Sequence, residues 1–419
     1  MTCQTGGLTP GALRTEIRVI QLMKIVGIDV SKTSITCCVV DSEAMPSDYR
    51  KFSGSYQPIG LCPTIDGIAS LLTMGEVFIL EPTGDYSKVW IDILKANDRA
   101  VYRVNPQRVK ALQTYHGVMS KSDRYDAAFL ALYGAENLGR PSAFLSDYAE
   151  DLRDAVLQHQ FLSRMTGNYQ RRLWQLLSRE WPEVCVSSGG KRPKQSRKWM
   201  APEPPTLWNY IATGEGRYRK AWASKQGSSV GAGVSIMSKT LASQICELER
   251  RQYDLEVRIS ELLESPEFAP YHTVFDRFGF ASNTRASILS RIVPFDQFLG
   301  DDGKPIRARV PSKSGRMNRR DRSLGAFRLA LGNGTTLYQS GQVKTEVAAG
   351  PRYARTAIYL HIKMMVVILR SRPNMQIPKY LAQHRAYYEA LPPMPHPQAV
   401  SKVASKLVKD LYRELLASL

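Results

Sequence analysis

The chain has 419 residues, and its 57 Lys and Arg against 38 Asp and Glu give a formal net charge of +19. Because each phosphate that a cation neutralises releases counterions, this excess favours a nucleic-acid partner over a merely soluble basic protein. A membrane surface is a weaker alternative because no basic amphipathic anchor stands out in the sequence. No apolar run approaches the roughly 20 residues that span a bilayer, and the six cysteines contain no C-x-x-C pair that would indicate a zinc site. We therefore expect a cytoplasmic protein of two or three domains with no membrane partner.

Residues 24–145 alternate between strand and helix patterns. The predicted elements are, in chain order, a strand–turn–strand unit over 24–40, a strand at Val77–Leu80, a helix through Val89, Ile93 and Leu94, a strand over 100–104 and a helix that opens with Pro106. Strands separated by helices indicate an α/β domain with a partly parallel sheet. Residues 1–22 carry little pattern and Met23 precedes the first strand, so they are either a loose extension or an upstream start choice.

Two long helices are predicted next, over 148–181 and 241–262. The second has a heptad seam made of Leu241, Ile245, Leu248, Gln252, Leu255, Ile259 and Leu262. This spacing is typical of a coiled coil, so we expect the two helices to pair with each other or with another subunit. The polar Gln252 in the seam is either a device that fixes the register or a tolerated defect.

Two further segments are rich in basic residues. The insertion at about 182–232 also carries the aromatic residues Trp199, Trp208, Tyr210, Tyr218 and Trp222. These rings either stack on bases or form a small satellite core. The segment 304–322 has no strong periodicity and is predicted to be a phosphate-facing loop that orders on binding. The rest of 266–419 is predicted to be mainly helical, with a Gly-rich break around 333–350 and a final amphipathic helix.

Four acidic residues stand where a predicted strand ends or a helix begins. Asp29 ends the first strand, Glu81 follows the strand at Val77–Leu80, and Asp123 and Asp126 lie three residues apart at a helix start. Each alone is explained by a turn cap, a surface position or the helix dipole. Together they fit a divalent-metal site, since Mg²⁺ takes oxygen ligands, and one or two such ions can clamp a phosphodiester and activate a nucleophile.

Four motifs in this part of the chain, GIDVSK, EPTGDY, VNPQRVK and KSDRYDA, occur in an order and at spacings that resemble the DEDD transposases of insertion sequences, also described as bridge-RNA-guided recombinases. The resemblance is specific over 24–130 and looser through the heptad helix, QSGQVKTEVAAGPRYAR and the final helix. The segments 182–232 and 301–324 look longer than is usual for the family, so the resemblance predicts nothing about these two segments.

The resemblance implies a three-part organisation after the extension 1–22. Residues 23–145 would form a RuvC-like (RNase H-like) α/β catalytic domain. Residues 146–265 would form a helical coiled-coil link, which contains the basic insertion. Residues 266–419 would form a mainly α C-terminal transposase domain that supplies a catalytic serine.

The resemblance also implies the chemistry of the site. Asp29, Glu81, Asp123 and Asp126 would be the four metal-binding acids, with Mg²⁺ as the cofactor. Ser340, in the motif QSG, would be the nucleophile that attacks a DNA phosphodiester and forms a transient phosphoserine link. A strand hydroxyl then attacks that link and reseals the DNA.

The sequence around Ser340 departs from the family pattern at one position, and three other serines are candidates for the nucleophile. The family often has a second glycine where Gln342 stands. Ser312, Ser314 and Ser323 in the basic segment are the other candidates, but none lies in a Gly-rich setting just ahead of a helix.

Four basic residues are candidate contacts to nucleic acid. Arg352 and Arg355, just past the Gly-rich segment, either hold phosphate oxygens or lie on a helix surface. Lys121 and Arg124 flank the acid pair and either contact backbone phosphate or balance local charge.

The partners implied by the resemblance are donor and target DNA, a structured guide RNA and further copies of the chain. The resemblance also implies dimers that pair into a tetramer, in which the acids of one subunit meet the serine of another.

Two alternatives stay open at this point. One is a metal-dependent RuvC-like Holliday-junction resolvase or nuclease in which Ser340 is a turn residue. The other is a non-catalytic nucleic-acid-binding protein with a degenerate core.

Overall fold

The computed structural model describes residues 23–186, 197–300, 302–311, 317–340, 343–368 and 377–419. The chain divides into two compact units, Met1–Asp147 and Tyr148–Leu419. The predicted three-part division at residues 145 and 265 stays a prediction. Among the described residues, no helix combines the length and the apolar character needed to cross a membrane.

The first unit contains a mixed sheet flanked by helices. Its described elements are β1 (Lys24–Val30), β2 (Ile35–Asp41), α1 (Tyr49–Ser55), β3 (Ile59–Leu61), α2 (Ile65–Thr73), β4 (Val77–Leu80), α3 (Asp85–Ala96), β5 (Ala100–Arg103), α4 (Pro106–Tyr115) and α5 (Asp123–Asn137). The five strands lie in the order β3-β2-β1-β4-β5. β1 is antiparallel to β2 and parallel to β4, and β4 is parallel to β5. The predicted α/β domain with a partly parallel sheet is confirmed.

The short strand β4 shows why the sheet lies in the interior of this unit. Val77 and Ile79 belong to the apolar cluster on one face of the sheet, and Phe78 and Leu80 belong to the cluster on the other. Successive side chains of a strand alternate between its faces, so an unbroken apolar run is typical of a strand covered on both sides. Helices α4 and α5 contribute to the first cluster and α2 and α3 to the second.

The second unit is mainly helical in its described part. Its helices are α6 (Asp147–Glu180, which begins at the last residue of the first unit), α7 (Pro182–Cys185), α8 (Thr206–Thr213), α9 (Arg219–Gly227), α10 (Ile236–Leu263), α11 (Ala269–Asp276), α12 (Ser282–Ile292), α13 (Arg322–Ala330), α14 (Arg352–His361), α15 (Lys379–Glu389) and α16 (His396–Ser418). Two antiparallel hairpins interrupt them, β6 (Arg307–Pro311) with β7 (Met317–Asp321) and β8 (Gly334–Ser340) with β9 (Val343–Ala349). The predicted helical C-terminal part and its final helix are confirmed.

The long helices α6 and α10 pair antiparallel through side-chain hydrogen bonds. Gln252 of α10 donates to Thr166 Oγ1 at 2.8 Å and accepts from Ser163 Oγ at 2.9 Å. Further along, His159 Nε2 lies 3.0 Å from Glu256 Oε1. Because Gln252 is buried, sliding one helix along the other would leave its amide without partners, which costs more than the net value of the bonds. Gln252 therefore fixes the register, and the predicted pairing of the two helices with each other is confirmed.

Most aromatic residues of the basic insertion lie in apolar clusters. Trp208 and Tyr210 of α8 are buried beside leucines of α6 and α10, and Trp222 packs partly buried against the same cluster. Trp199 packs against the larger helical core. Tyr218 is the exception, with 48% of its surface exposed. Of the two alternatives for these rings, the satellite core therefore applies to Trp208, Tyr210 and Trp222.

The prediction of a loop over 304–322 is wrong for its described residues. β6 and β7 pair over their whole length, from Arg307 opposite Asp321 to Pro311 opposite Met317. The alternation that signals a strand is confined to the four residues from Arg307 to Val310 and is missing from β7, so the hairpin depends on the pairing of the two strands with each other. Residues 312–316, which include Ser312 and Ser314, lie outside the described residues.

Candidate active site

Two of the predicted acids stand at the carboxyl ends of neighbouring parallel strands. β1 and β4 pair in register up to Ile28 opposite Leu80. Asp29 is the next residue of β1, and Glu81 comes directly after β4. The register therefore places both carboxylates at the same edge of the sheet, as the sequence predicts.

Helix α5 brings the other two acids to this edge because it packs unusually close to β1. A Cβ atom at Gly27 would lie 2.2 Å from the carbonyl oxygen of Ala127 and 2.3 Å from the amide nitrogen of Ala131. No side chain fits there, so glycine is required for this approach of helix to strand. Asp123 and Asp126 occupy the first turn of α5. The close packing at Gly27 carries that turn towards the end of β1.

The carboxylates influence one another electrostatically. Burial, followed by the charges of Asp126 and then Asp123, raises the pKa of Asp29 to about 6. Burial raises the pKa of Glu81 to about 7, with Asp126 and then Asp29 as the next causes. The structure thus brings Asp29, Glu81 and Asp126 within electrostatic range of one another, with the exposed Asp123 at the margin.

This arrangement predicts that the metal-free protein loses stability as the pH rises from 4.5 to 7.5. The pKa values of Asp29 and Glu81 are raised from 3.8 and 4.5 to about 6 and about 7, so the folded state holds these two protons more tightly than the unfolded state. The protons on Asp29 and Glu81 stabilise the fold fully at a pH below the pKa values of the unfolded state. This stabilisation is lost as the pH rises through the folded-state pKa values of about 6 and about 7. After solvent screening is allowed for, we expect a loss of roughly 1 kcal/mol per group.

Urea unfolding in EDTA at several pH values measures this loss. Glu249, whose pKa burial also raises to about 7, titrates in the same window, so the informative quantity is the difference between the wild type and the Asp29→Asn, Glu81→Gln double variant. A variant that loses stability over this range as steeply as the wild type would contradict the prediction.

Gln113 is a site residue that sequence reasoning missed. Its Nε2 donates to Asp126 Oδ1 at 2.7 Å, from the buried face of α4. The bond fixes the orientation of the Asp126 carboxylate and occupies one of its oxygens. A signal was present, because Gln113 stands four residues after the buried Val109 and so belongs to the inward face of the same helix.

The four acids offer the type of ligand that a hard divalent cation prefers, although their side chains are not arranged around a common point. In the described ranges, no group of three or more His, Cys, Asp or Glu side chains is arranged closely enough to hold a metal ion. The donor set is nonetheless all carboxylate oxygen, which Mg²⁺ prefers. Burial and then the charge of Asp126 raise the pKa of both Asp29 and Glu81, and a bound cation would favour the ionised form of each carboxylate.

The two cations that flank the acid pair behave differently. Lys121 is exposed and lowers the pKa of both Asp29 and Glu81, so it balances local negative charge. Arg124 turns away to Tyr56: its guanidinium donates to the Tyr56 carbonyl and lies 5.5 Å from the ring centroid. The hydroxyl of Tyr56 donates back to the carbonyl of Arg124 at 2.7 Å. Arg124 therefore ties α5 to the end of α1.

The predicted nucleophile lies at the end of a hairpin strand. Ser340 is the last residue of β8, opposite Val343, and its side chain and Gln342 lie outside the described residues. The competing Ser323 is 1% exposed, and its Oγ accepts a hydrogen bond from the backbone of Ile306 at 2.8 Å. Ser323 is therefore a structural residue that a DNA strand cannot reach.

The two arginines near β9 also differ in their surroundings. Arg352 is exposed at the first position of α14. Arg355 is partly buried and its Nη1 donates to the carbonyl of Gly332 at 3.4 Å. Gly332 has a φ of +70°, and a Cβ there would lie 2.3 Å from the carbonyl oxygen of Pro351. Arg355 thus holds the turn ahead of β8, whereas Arg352 is available to a ligand.

Residues 26–182 match the model of a family described as a transposase, the DEDD type of IS110. The matched range contains all four acids and Gln113, and it ends shortly after α6. A comparison with curated proteins found no match.

Proposed function

We propose that the chain is the transposase of an insertion sequence and that it cuts and rejoins DNA strands, because residues 26–182 match the model of the DEDD transposase family of the IS110 type. The observation that supports this most directly is the group of carboxylates at the ends of β1 and β4 and the start of α5, which lies inside the matched residues. The net charge of +19 suits a DNA substrate. A RuvC-like domain is the form of α/β fold that this proposal implies.

In this proposal Asp29, Glu81, Asp123 and Asp126 hold Mg²⁺. The ion, when bound, would offset negative charge on the scissile phosphate and activate the attacking hydroxyl. The residues around it prepare the site: Gln113 orients Asp126 through the 2.7 Å hydrogen bond. Burial raises the pKa of Glu81 to about 7, so at neutral pH a cation that binds this carboxylate would displace a proton from part of the molecules.

Ser340 is the proposed nucleophile. Its Oγ forms a bond to the DNA phosphorus, the bond from phosphorus to the leaving strand oxygen breaks, and the proton of the serine passes to that oxygen. The hydroxyl of another strand then attacks the phosphoserine, and the serine takes a proton back as it leaves. Each step exchanges one phosphoester for another, so rejoining needs no high-energy cofactor.

Replacing Ser340 by Ala is expected to abolish a covalent protein–DNA adduct. The protein is mixed with insertion-sequence end DNA and Mg²⁺, denatured, and examined for DNA that migrates with the chain. Ser401→Ala is the matched control, because Ser401 is an exposed serine of the same unit and the proposal gives it no role. We expect the adduct with the wild type and the control, and at least a 100-fold loss with Ser340→Ala, since no other hydroxyl takes its place.

The second candidate function is a metal-dependent nuclease or junction resolvase. It is favoured by the grouping of the acids within the first unit alone, since hydrolysis by water needs no serine. Cleavage of the DNA that persists in Ser340→Ala without any adduct would favour this function over the recombinase.

A structured guide RNA and an oligomer complete the proposal. A protein that relies on base pairing for target choice needs to hold backbone and shape, which a strongly basic chain can do. Sequencing the RNA that copurifies with the chain, together with the mass of the complex, tests both points. One enriched RNA from the DNA beside the gene and a mass of two or four chains would support them; a random sample of cellular RNA on a single chain would not.

A further inference from the structure

The hairpin of β6 and β7 presents arginines in an arrangement that its own fold does not explain. Arg309 lies directly opposite Arg319, and Arg307 lies two residues before Arg309 on the same face. All three are exposed, and so is Arg320 on the other face. The hairpin is therefore a two-stranded ribbon with positive charge on both faces.

This arrangement works against the stability of the ribbon. Like charges directly opposite each other across antiparallel strands are destabilising, and a two-stranded hairpin is only marginally stable by itself. The one carboxylate on the face of Arg309, that of Asp321, accepts a hydrogen bond from the backbone of Leu324 at 2.8 Å and caps α13. A bound polyanion would attract both Arg309 and Arg319 and so offset the repulsion between them.

The base of the ribbon is held firmly by the second unit. The amide of Ile306 donates to the buried Ser323 Oγ at 2.8 Å, and the amide of Arg322 donates to the carbonyl of Ile306 at 2.9 Å. Directly after β7, helix α13 places Phe327 in the main helical core with no exposed surface. The ribbon is thus mounted on the core at one end, so the paired arginines have a defined position.

We infer that this ribbon binds the sugar–phosphate backbone of duplex DNA and enters its major groove. The inference rests on the proposed function and names one surface that the DNA contacts. Five-residue strands are about 17 Å long and lie about 5 Å apart, and the major groove of B-DNA, about 12 Å wide, admits a two-stranded ribbon. The major groove of an RNA duplex is too deep and narrow for side chains to enter. The geometry therefore favours DNA over RNA.

The test compares two double variants of the full chain that lose the same charge. In Arg309→Gln, Arg319→Gln the facing pair of the ribbon is removed. In the control, Arg251→Gln, Arg385→Gln, two helix-surface arginines are removed that form ion pairs with Glu247 at 2.9 Å and Glu389 at 3.2 Å. Fluorescence anisotropy measures binding to a 30-base-pair DNA duplex and to an RNA duplex of the same sequence over a range of KCl concentrations.

The ribbon variant is expected to bind DNA about tenfold more weakly at 0.1 M KCl, and its log Kd should depend on log salt with a slope smaller by about 1.8, for two lost phosphate contacts. Binding to the RNA duplex should change much less, and the control should change neither. The thermal midpoint of the ribbon variant should stay equal or rise, because a repulsion is removed, which excludes misfolding as the cause.

Equal losses in the ribbon and control variants, or a loss confined to the RNA duplex, would overturn the inference while leaving the proposed function intact. A wild-type protein that binds no duplex DNA would instead overturn the proposed function and the inference together.

Discussion

Strand exchange is expected to fall by roughly 10³-fold or more when Asp29 is replaced by Asn, because a neutral amide binds Mg²⁺ far more weakly than the carboxylate that we propose as its ligand. The same substitution is expected to raise the unfolding temperature at pH 7.5 in EDTA. Burial and the charges of Asp126 and Asp123 raise the pKa of Asp29 to about 6, so the ionised carboxylate destabilises the folded state at pH 7.5. Loss of activity and gain of stability in one variant is the signature of a carboxylate held for function.

The measurement pairs a DNA-exchange assay in cells with thermal unfolding of the purified protein. Asp92→Asn is the matched control, since Asp92 is an exposed acid on α3 of the same unit and should change neither quantity. If DNA exchange continued at the wild-type rate in Asp29→Asn, the proposed catalytic role of the acids would be wrong. It would favour the alternative of a nucleic-acid-binding protein with a degenerate core.

Replacing Gly27 by Ala is expected to destabilise the first unit by about 3 kcal/mol, near the upper end for an overpacked position. The added Cβ would lie 2.2 Å from the carbonyl oxygen of Ala127, and backbone atoms of a helix cannot move aside as a flexible side chain can. Helix α5 would have to shift away from β1 and carry Asp123 and Asp126 with it. We therefore expect DNA exchange to be lost even at temperatures where the variant is folded.

Urea unfolding followed by circular dichroism gives the change in the free energy of unfolding. Gly60→Ala in β3 is the control, because a Cβ at Gly60 would meet no atom within 4 Å, and its effect should stay within about 0.5 kcal/mol. If Gly27→Ala were as mild as Gly60→Ala, the close packing of α5 on β1 would not be what positions the acids.

Several elements could be predicted because local signals agreed with the final packing. The apolar run Val77–Leu80 became a strand buried on both faces. Asn105 followed by Pro106 marked the start of α4, where the Asn105 side chain accepts from the backbone of Gln107, since proline at the first position and a capping side chain before it both favour a helix start. The seam around Gln252 likewise predicted a paired helix, with the other long helix of the chain as one of two possible partners.

Other features had no adequate local signal. The rings of Trp208 and Trp222 allowed either stacking on bases or a core, and the helices α6 and α10 that cover them are far away in the sequence. The ribbon of β6 and β7 was missed because the alternation of charged and apolar residues is confined to the four residues from Arg307 to Val310, and β7 has none. Gln113 was missed because its contact with Asp126 depends on how α4 packs beside α5.

By itself, the sequence determined which residues carry charge and where several strands and helices of the first unit begin, and this was enough to predict the four acids and the α/β character of that unit. Only the tertiary structure decided how near those acids come to one another. The distance depends on the register of β1 against β4 and on the missing side chain at Gly27. Neither is visible in a local pattern, because a strand register and a helix-to-strand approach are settled by atoms that are distant along the chain.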